Sequence, residues 1–190
     1  MKKINIFLTI TALFMFSGCM SSSNYYVLSV ASQPSTVYAH KNRVIGVEKV
    51  TIPAYLYKRQ IAIAKSSSQI GFISGSEWGE DLDEGLTHRL ISFLQKKFRQ
   101  PRVYAYPWNT DTLPDQRVKV QITRFIAYGD RVYLDANWEV KKLSPGRRSR
   151  SSLFNTSVPT VEGNAASIVN SMDAAFRQLE ESIANGLKSF

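Results

Sequence analysis

The carboxylates Glu77, Glu80, Asp81, Asp83 and Glu84 are the densest set of side chains here that could move protons or hold a cation. Paired carboxylates act as general acid and base when their environments differ. These five, however, run up to an apolar stripe of helical period, where capping and the helix dipole already favour acids. A calcium loop needs oxygen ligands alternating around a central glycine, and that spacing is absent. Ser74-Gly75-Ser76 lacks the Gly-x-Ser-x-Gly of a nucleophile elbow. Gly71, Gly75 and Gly79 fit neither phosphate-binding pattern. His40 and His88 are far apart, with no ligand spacing around them. The residues therefore predict no catalytic, cofactor-binding or metal site, and a chain that is not an enzyme.

Cys19 is different: it is the only cysteine, and it ends a segment built like an export signal. Met1-Lys2-Lys3 is basic, Ile4–Phe16 is a mainly apolar run of 13 residues, and Ser17-Gly18 are small. The run has the length of a signal-peptide core and is too short to span a bilayer. Phe16-Ser17-Gly18-Cys19 resembles the lipobox of bacterial lipoproteins, with Phe16 where leucine is usual. A lone cysteine in an oxidising compartment has no disulfide partner, and lipidation gives it a role. A plain signal peptide beside a free cysteine is the alternative. The lipobox resemblance implies removal of residues 1–18 and three acyl chains on Cys19, palmitate among them. A single chain would bind a membrane only marginally. Met20 follows the cysteine, not Asp, and by the sorting rule this directs the protein to the periplasmic face of the outer membrane instead of the inner membrane.

A tether of residues 19–24 then joins lipid to a single domain over 25–190. Its five residues from Met20 to Asn24 span at most ~17 Å when extended, so the domain is held against the membrane. The net charge is +9, and +7 without Lys2 and Lys3. Export excludes nucleic acid as the partner of that charge. The run Arg147-Arg148-Ser149-Arg150 follows Ser144-Pro145-Gly146. It reads either as a solvated loop between strands or as a contact to lipid headgroups or an acidic partner.

The elements follow from periodicity. Tyr25–Ala31, Arg43–Ile52, Gln60–Ala64 and Gly71–Ser74 read as strands from their β-branched and aromatic content. Leu82, Leu86, Leu90, Ile91, Leu94 and Phe98 recur at helical spacing up to Pro101, with Asp81 and Glu84 placed as a capping box. Arg102–Tyr106, Arg117–Tyr128, Arg131–Lys142 and Ser151–Val158 are four more strands, the middle two joined at Gly129-Asp130. Val132, Leu134, Ala136, Trp138 and Val140 alternate with polar residues, as in a half-buried antiparallel strand. A last helix from about Asn164 carries the stripe Ile168, Val169, Met172, Ala175, Phe176, Leu179, Ile183 and Leu187. The order β-β-β-β-α-β-β-β-β-α predicts an α+β fold, a mostly antiparallel sheet with two amphipathic helices on one face. Aromatics make up 12% of the chain. Tyr25, Tyr26, Tyr55, Tyr57, Trp78, Tyr104, Tyr106 and Trp108 gather at strand ends and turns, which suits an interface or rim packing.

Four segments together resemble the paraquat-inducible protein C family of ABC-type transport auxiliary lipoproteins. They are Asn24-Tyr25-Tyr26-Val27-Leu28, then Val47 to Leu56 (Val-Glu-Lys-Val-Thr-Ile-Pro-Ala-Tyr-Leu), then Trp78 to Leu86, and Val118–Phe125 with the hairpin into Ala136-Asn137-Trp138. The third is similar to the family's Trp-x-x-Pro-Leu-Asp helix entry, with Asp81 in place of the proline. The resemblance implies a sheet with helices packed on it and no catalysis. It also implies an MCE-domain periplasmic protein and an inner-membrane protein as partners, a homo-oligomer being compatible. The role implied is an outer-membrane subunit of an envelope lipid-transport system that supports membrane integrity. A structural or assembly lipoprotein of the envelope, without a transport role, is the alternative.

Overall fold

The computed structural model describes residues 23–28, 30–38, 43–108, 113–143 and 148–189. Cys19 and the signal segment, His40, and residues 144–147 of the basic run lie outside them. The elements are β1 (Asn24–Tyr26), β2 (Ile45–Val47), a 3-10 turn (Ala54–Tyr57), β3 (Gln60–Ala64), β4 (Ile70–Trp78), α1 (Leu82–Phe98), β5 (Val103–Ala105), β6 (Gln116–Tyr128), β7 (Arg131–Lys142), β8 (Ser149–Pro159) and α2 (Ala165–Lys188). Their order is the expected one, and the fold is the expected sheet with two helices.

The long antiparallel ladders are β6–β7 and β7–β8. At the β6–β7 turn Gly129 has φ +58°, a conformation that a residue without Cβ adopts freely. The other edge of β6 is shared. Ile45–Val47 runs parallel to Gln116–Val118 at its start, Thr51 bridges to Gln121, and Ile63-Ala64 runs parallel to Ala127-Tyr128 at its end. The eight-stranded sheet thus has the order β1-β4-β3-β6-β2-β5, with β7 and β8 on the far side of β6. The short strands join in parallel, making the sheet mixed around its antiparallel centre.

Two strands are shorter than their composition suggests, because side chains of α1 take their backbone groups. The Arg43–Ile52 segment is a strand only over Ile45–Val47, since the Val50 N–H donates to Thr87 Oγ1 at 2.9 Å. Tyr25–Ala31 is a strand only over β1. Beyond it the Leu28 carbonyl accepts from Arg89 and the Ala31 carbonyl from Lys96 Nζ at 2.8 Å. Conversely β4 extends past Ser74 to Trp78, because Ser76–Trp78 pairs with β1.

The helix starts also differ. Asn164 caps α2, its Oδ1 accepting from the Ser167 N–H at 2.9 Å. Asp81 occupies the N-cap position of α1, but its side chain accepts no cap hydrogen bond, so the expected capping box is not formed. Asp83 Oδ1 instead accepts from the Glu84 N–H at 2.8 Å. Every residue of the α2 stripe is buried, and that of α1 is buried except for half-buried Ile91. The alternating residues of β7, Val132 to Val140, meet these stripes to form one continuous core. Helix and sheet approach closely at Gly186, where a Cβ would come within 2.5 Å of the Trp138 indole. The indole N–H donates to Ser182 Oγ at 3.1 Å, fixing that ring under the last turns of α2.

Candidate functional site

The acidic cluster resolves into local structure. Asp83 is buried and pairs with Lys49 Nζ at 3.0 Å; that hydrogen bond raises the lysine pKa above its ordinary value. Glu80 folds against Gly85, with Oε1 buried and without a hydrogen-bond partner among the described residues. Glu77 lies on β4, 4.0 Å from Arg59. Among the described residues, no three His, Cys, Asp or Glu side chains are grouped to hold a metal ion. His88 is exposed on α1.

The charged centre of the molecule is elsewhere, between the helices. Arg89 has no exposed surface, yet it projects from α1 into the contact with α2. Its Nε and Nη2 donate to Glu180 Oε1 and Oε2 at 3.1 and 3.2 Å, a bidentate pair. Nη1 donates to Asp173 Oδ1 at 2.5 Å and Nη2 to the Asp173 carbonyl at 3.2 Å. The guanidinium carbon lies 5.3 Å from the centre of the Phe176 ring. One side chain thus fastens α1, α2 and the segment after β1 together. Burial works against the Arg89 charge, yet Glu180 and Asp173 hold its pKa above the ordinary value.

Burial pushes the Glu180 carboxyl up to about 7, against the pull of Arg89. A carboxyl whose pKa is higher folded than unfolded favours the folded state at low pH, where it is protonated. That contribution is full below the unfolded value near 4.5 and is lost as pH rises towards 7. It amounts to on the order of 3 kcal/mol. Urea unfolding between pH 4.5 and 7.5 is therefore expected to show stability falling as pH rises, with Glu180→Gln flattening the fall. Parallel curves for the two proteins would remove Glu180 as its source.

A second cationic cluster closes the far end of the helix pair. Lys97 is buried, with Nζ 2.6 Å from Glu181 Oε2 and 2.9 Å from Thr36 Oγ1. Two ammonium groups lie against the Tyr38 ring, Lys97 at 4.7 Å and Lys188 at 4.5 Å from its centre. Its hydroxyl donates to Asn185 Oδ1 at 2.5 Å. Neither cluster offers a nucleophile or a metal cage; both order segments around the helices.

The aromatic residues divide. Trp78 is buried, and the Tyr55 hydroxyl accepts from the Phe125 N–H at 3.1 Å. Tyr25 on β1, Tyr57 on the 3-10 turn, and Tyr104 and Tyr106 at β5 are exposed. As β1 and β5 end the strand order, these rings form separate patches. The described part of the basic run opens β8, where Arg150 Nη1 donates to Ser189 Oγ at 3.0 Å. It is thus exposed at a strand end and tied to the end of α2. Among the described residues no helix is long and apolar enough to cross a membrane.

Comparison with known proteins fits this architecture. The family model described as "ABC-type transport auxiliary lipoprotein component" matches residues 26–184. The "Intermembrane transport lipoprotein PqiC" of Escherichia coli K12 is 29% identical over 137 residues, 68% of this chain and 70% of that protein. A crystal structure of a Xanthomonas campestris protein, of the family model DUF330, superposes with a TM-score of 0.69 at 14% identity. That match covers 87% of this chain and 94% of the other. A second crystal structure, of an uncharacterized protein, gives 0.70 at 20% identity over 87% and 99% of the two chains. At these identities the two structures speak for the fold alone.

Proposed function

The chain belongs to the ABC-type transport auxiliary lipoprotein family, and on that premise we propose that it is the non-catalytic outer-membrane subunit of an MCE-type envelope lipid transporter. Residues 1–18 are the signal peptide, Cys19 carries the acyl chains, residues 19–24 are the tether, and 25–190 form the docking domain at the periplasmic face. The observation that carries this reading is the family match over residues 26–184, together with likeness to a lipoprotein named for intermembrane transport. The partner is an MCE-domain periplasmic protein, itself joined to an inner-membrane protein.

The decisive experiment is affinity capture of the lipidated chain from cross-linked envelopes. The MCE protein is expected as the main cross-linked partner. Capture of envelope-assembly or peptidoglycan-associated proteins without it would replace transport by a structural role.

A further inference from the structure

Where the start of β2, the end of α1 and the end of α2 meet, the fold leaves a cavity of about 380 Å³. Its walls are Val37, Ile45, Phe98 and Leu187, and its polar lining includes Gln116 and Lys188. The volume is at the lower end of the range for small-molecule pockets, room for one acyl chain and not for two. Ile45 and Leu187 belong to the buried core and line the apolar side of the cavity.

The polar lining is unusual in one respect. Gln116 is 2% exposed and its carboxamide Nε2 is buried without a hydrogen-bond partner among the described residues. A buried donor left unsatisfied is rare and destabilising, and it calls for an acceptor. Lys188 lies at the same cavity, its ammonium against the Tyr38 ring with no carboxylate partner among the described residues. Arg43 adds a second cation to the lining. Apolar walls that end in an unmet donor and fixed positive charge match one ligand chemistry. We propose that this cavity binds a single-chain amphiphile with an anionic head, the chain between Ile45, Phe98 and Leu187 and the head at Gln116 and Lys188. The inference does not rest on the transport reading. A docking subunit without this site would pass the capture experiment above and fail the one below, and a lipid-binding protein without an MCE partner would do the reverse.

The full chain is held in phosphatidylcholine nanodiscs, labelled with a photoactivatable dodecanoate, and the adducts are mapped by mass spectrometry. Adducts are expected in the peptides that carry Ile45, Phe98 and Leu187. Dodecanoate and dodecyl phosphate should compete at least about tenfold better than dodecyl maltoside, since a hydrogen bond to a charged group is worth that much. The better of the two anionic competitors identifies the head as carboxylate or phosphate. Lengthening the competitor should tighten it about fourfold per methylene until the cavity is full. Gln116→Leu is expected to weaken anionic competition about tenfold or more while its melting temperature stays at or above that of the wild type. A purely structural glutamine would give the opposite split. Lys188→Gln, on the exposed last turn, should weaken anionic competition alone and serves if Gln116→Leu misfolds. Adducts scattered over the surface, equal competition by dodecyl maltoside, or binding unmoved by both substitutions would overturn the proposal.

Discussion

Arg89→Met is expected to lower the unfolding free energy by about 3–5 kcal/mol at pH 8, a large effect for a single charge. The methionine replaces much of the arginine stem, so little packing is lost. What is lost is the counter-charge of a carboxylate with no exposed surface, Glu180, and of the one-third exposed Asp173. Removing one partner of a buried pair strands the other, which is why the effect exceeds that of a surface ion pair several-fold. Typical domains are stable by only 5–15 kcal/mol, so such a change takes up a large part of the total.

Two further outcomes separate this account from simple loss of volume. At pH 5 the Glu180 carboxyl is protonated, its pKa being about 7, and the penalty for losing Arg89 should shrink. The double variant Arg89→Met/Glu180→Leu buries no unpaired charge there and should recover most of the lost stability. Asp173 still has water available and a second partner in Arg177 at 3.4 Å. Urea unfolding of the four proteins of the cycle reads the coupling directly. A pH-independent loss, with the two substitutions simply additive, would mean that the network does not hold the helices together.

That network shows what the sequence conceals. The apolar stripes of both helices, the alternation along β7 and the β6–β7 turn are all periodic, and each appears in the structure where periodicity places it. The boundaries of β1 and β2 are not periodic quantities. They are set by Arg89, Lys96 and Thr87, side chains of a helix far along the chain that capture carbonyls and an N–H. Nor does a hydrophobic pattern say that β2 and β3 share one edge of β6 in parallel, since a strand buried on both sides looks the same in either direction. The charged centre did leave a trace. Arg89 falls beside Leu86 and Leu90 within the apolar face of α1. Glu180 falls between Phe176 and Ile183 on α2, seven residues after Asp173 and on the same face. An opposite charge inside each of two stripes that must pack together is a pairing signal, weaker than the run of acids from Glu77 to Glu84 that first draws attention. The capping box between Asp81 and Glu84 is not formed because Asp83 Oδ1 takes the Glu84 N–H, while Lys49 pairs with the same carboxylate from a distant segment.

Cys19→Ser is expected to move the protein entirely from the membrane to the soluble periplasmic fraction and to abolish incorporation of labelled palmitate, with the melting temperature of the domain unchanged. Each buried methylene of an acyl chain contributes ~0.8 kcal/mol, so three chains amount to effectively permanent attachment and none leaves only surface contacts. Retention of the serine variant on the membrane would remove lipidation at Cys19 as the anchor. The position of β1 gives the anchor a second consequence. β1 begins at Asn24, on one edge of the sheet beside β4, so four residues, Met20 to Ser23, separate the cysteine from the first strand. Four extended residues reach at most about 14 Å, no more than the radius of gyration of a domain this size, about 15 Å, so the domain stays against the membrane. Inserting a 20-residue Gly/Ser segment after Met20 keeps the acyl chains but raises the r.m.s. reach to about 27 Å. If docking depends on the domain being held at the surface, the longer tether lowers its effective concentration there. Cross-linking to the proposed MCE-domain partner should then fall in the lengthened variant while palmitate labelling stays at the wild-type level. Undiminished cross-linking would show that the cysteine supplies attachment alone and that the short tether places nothing.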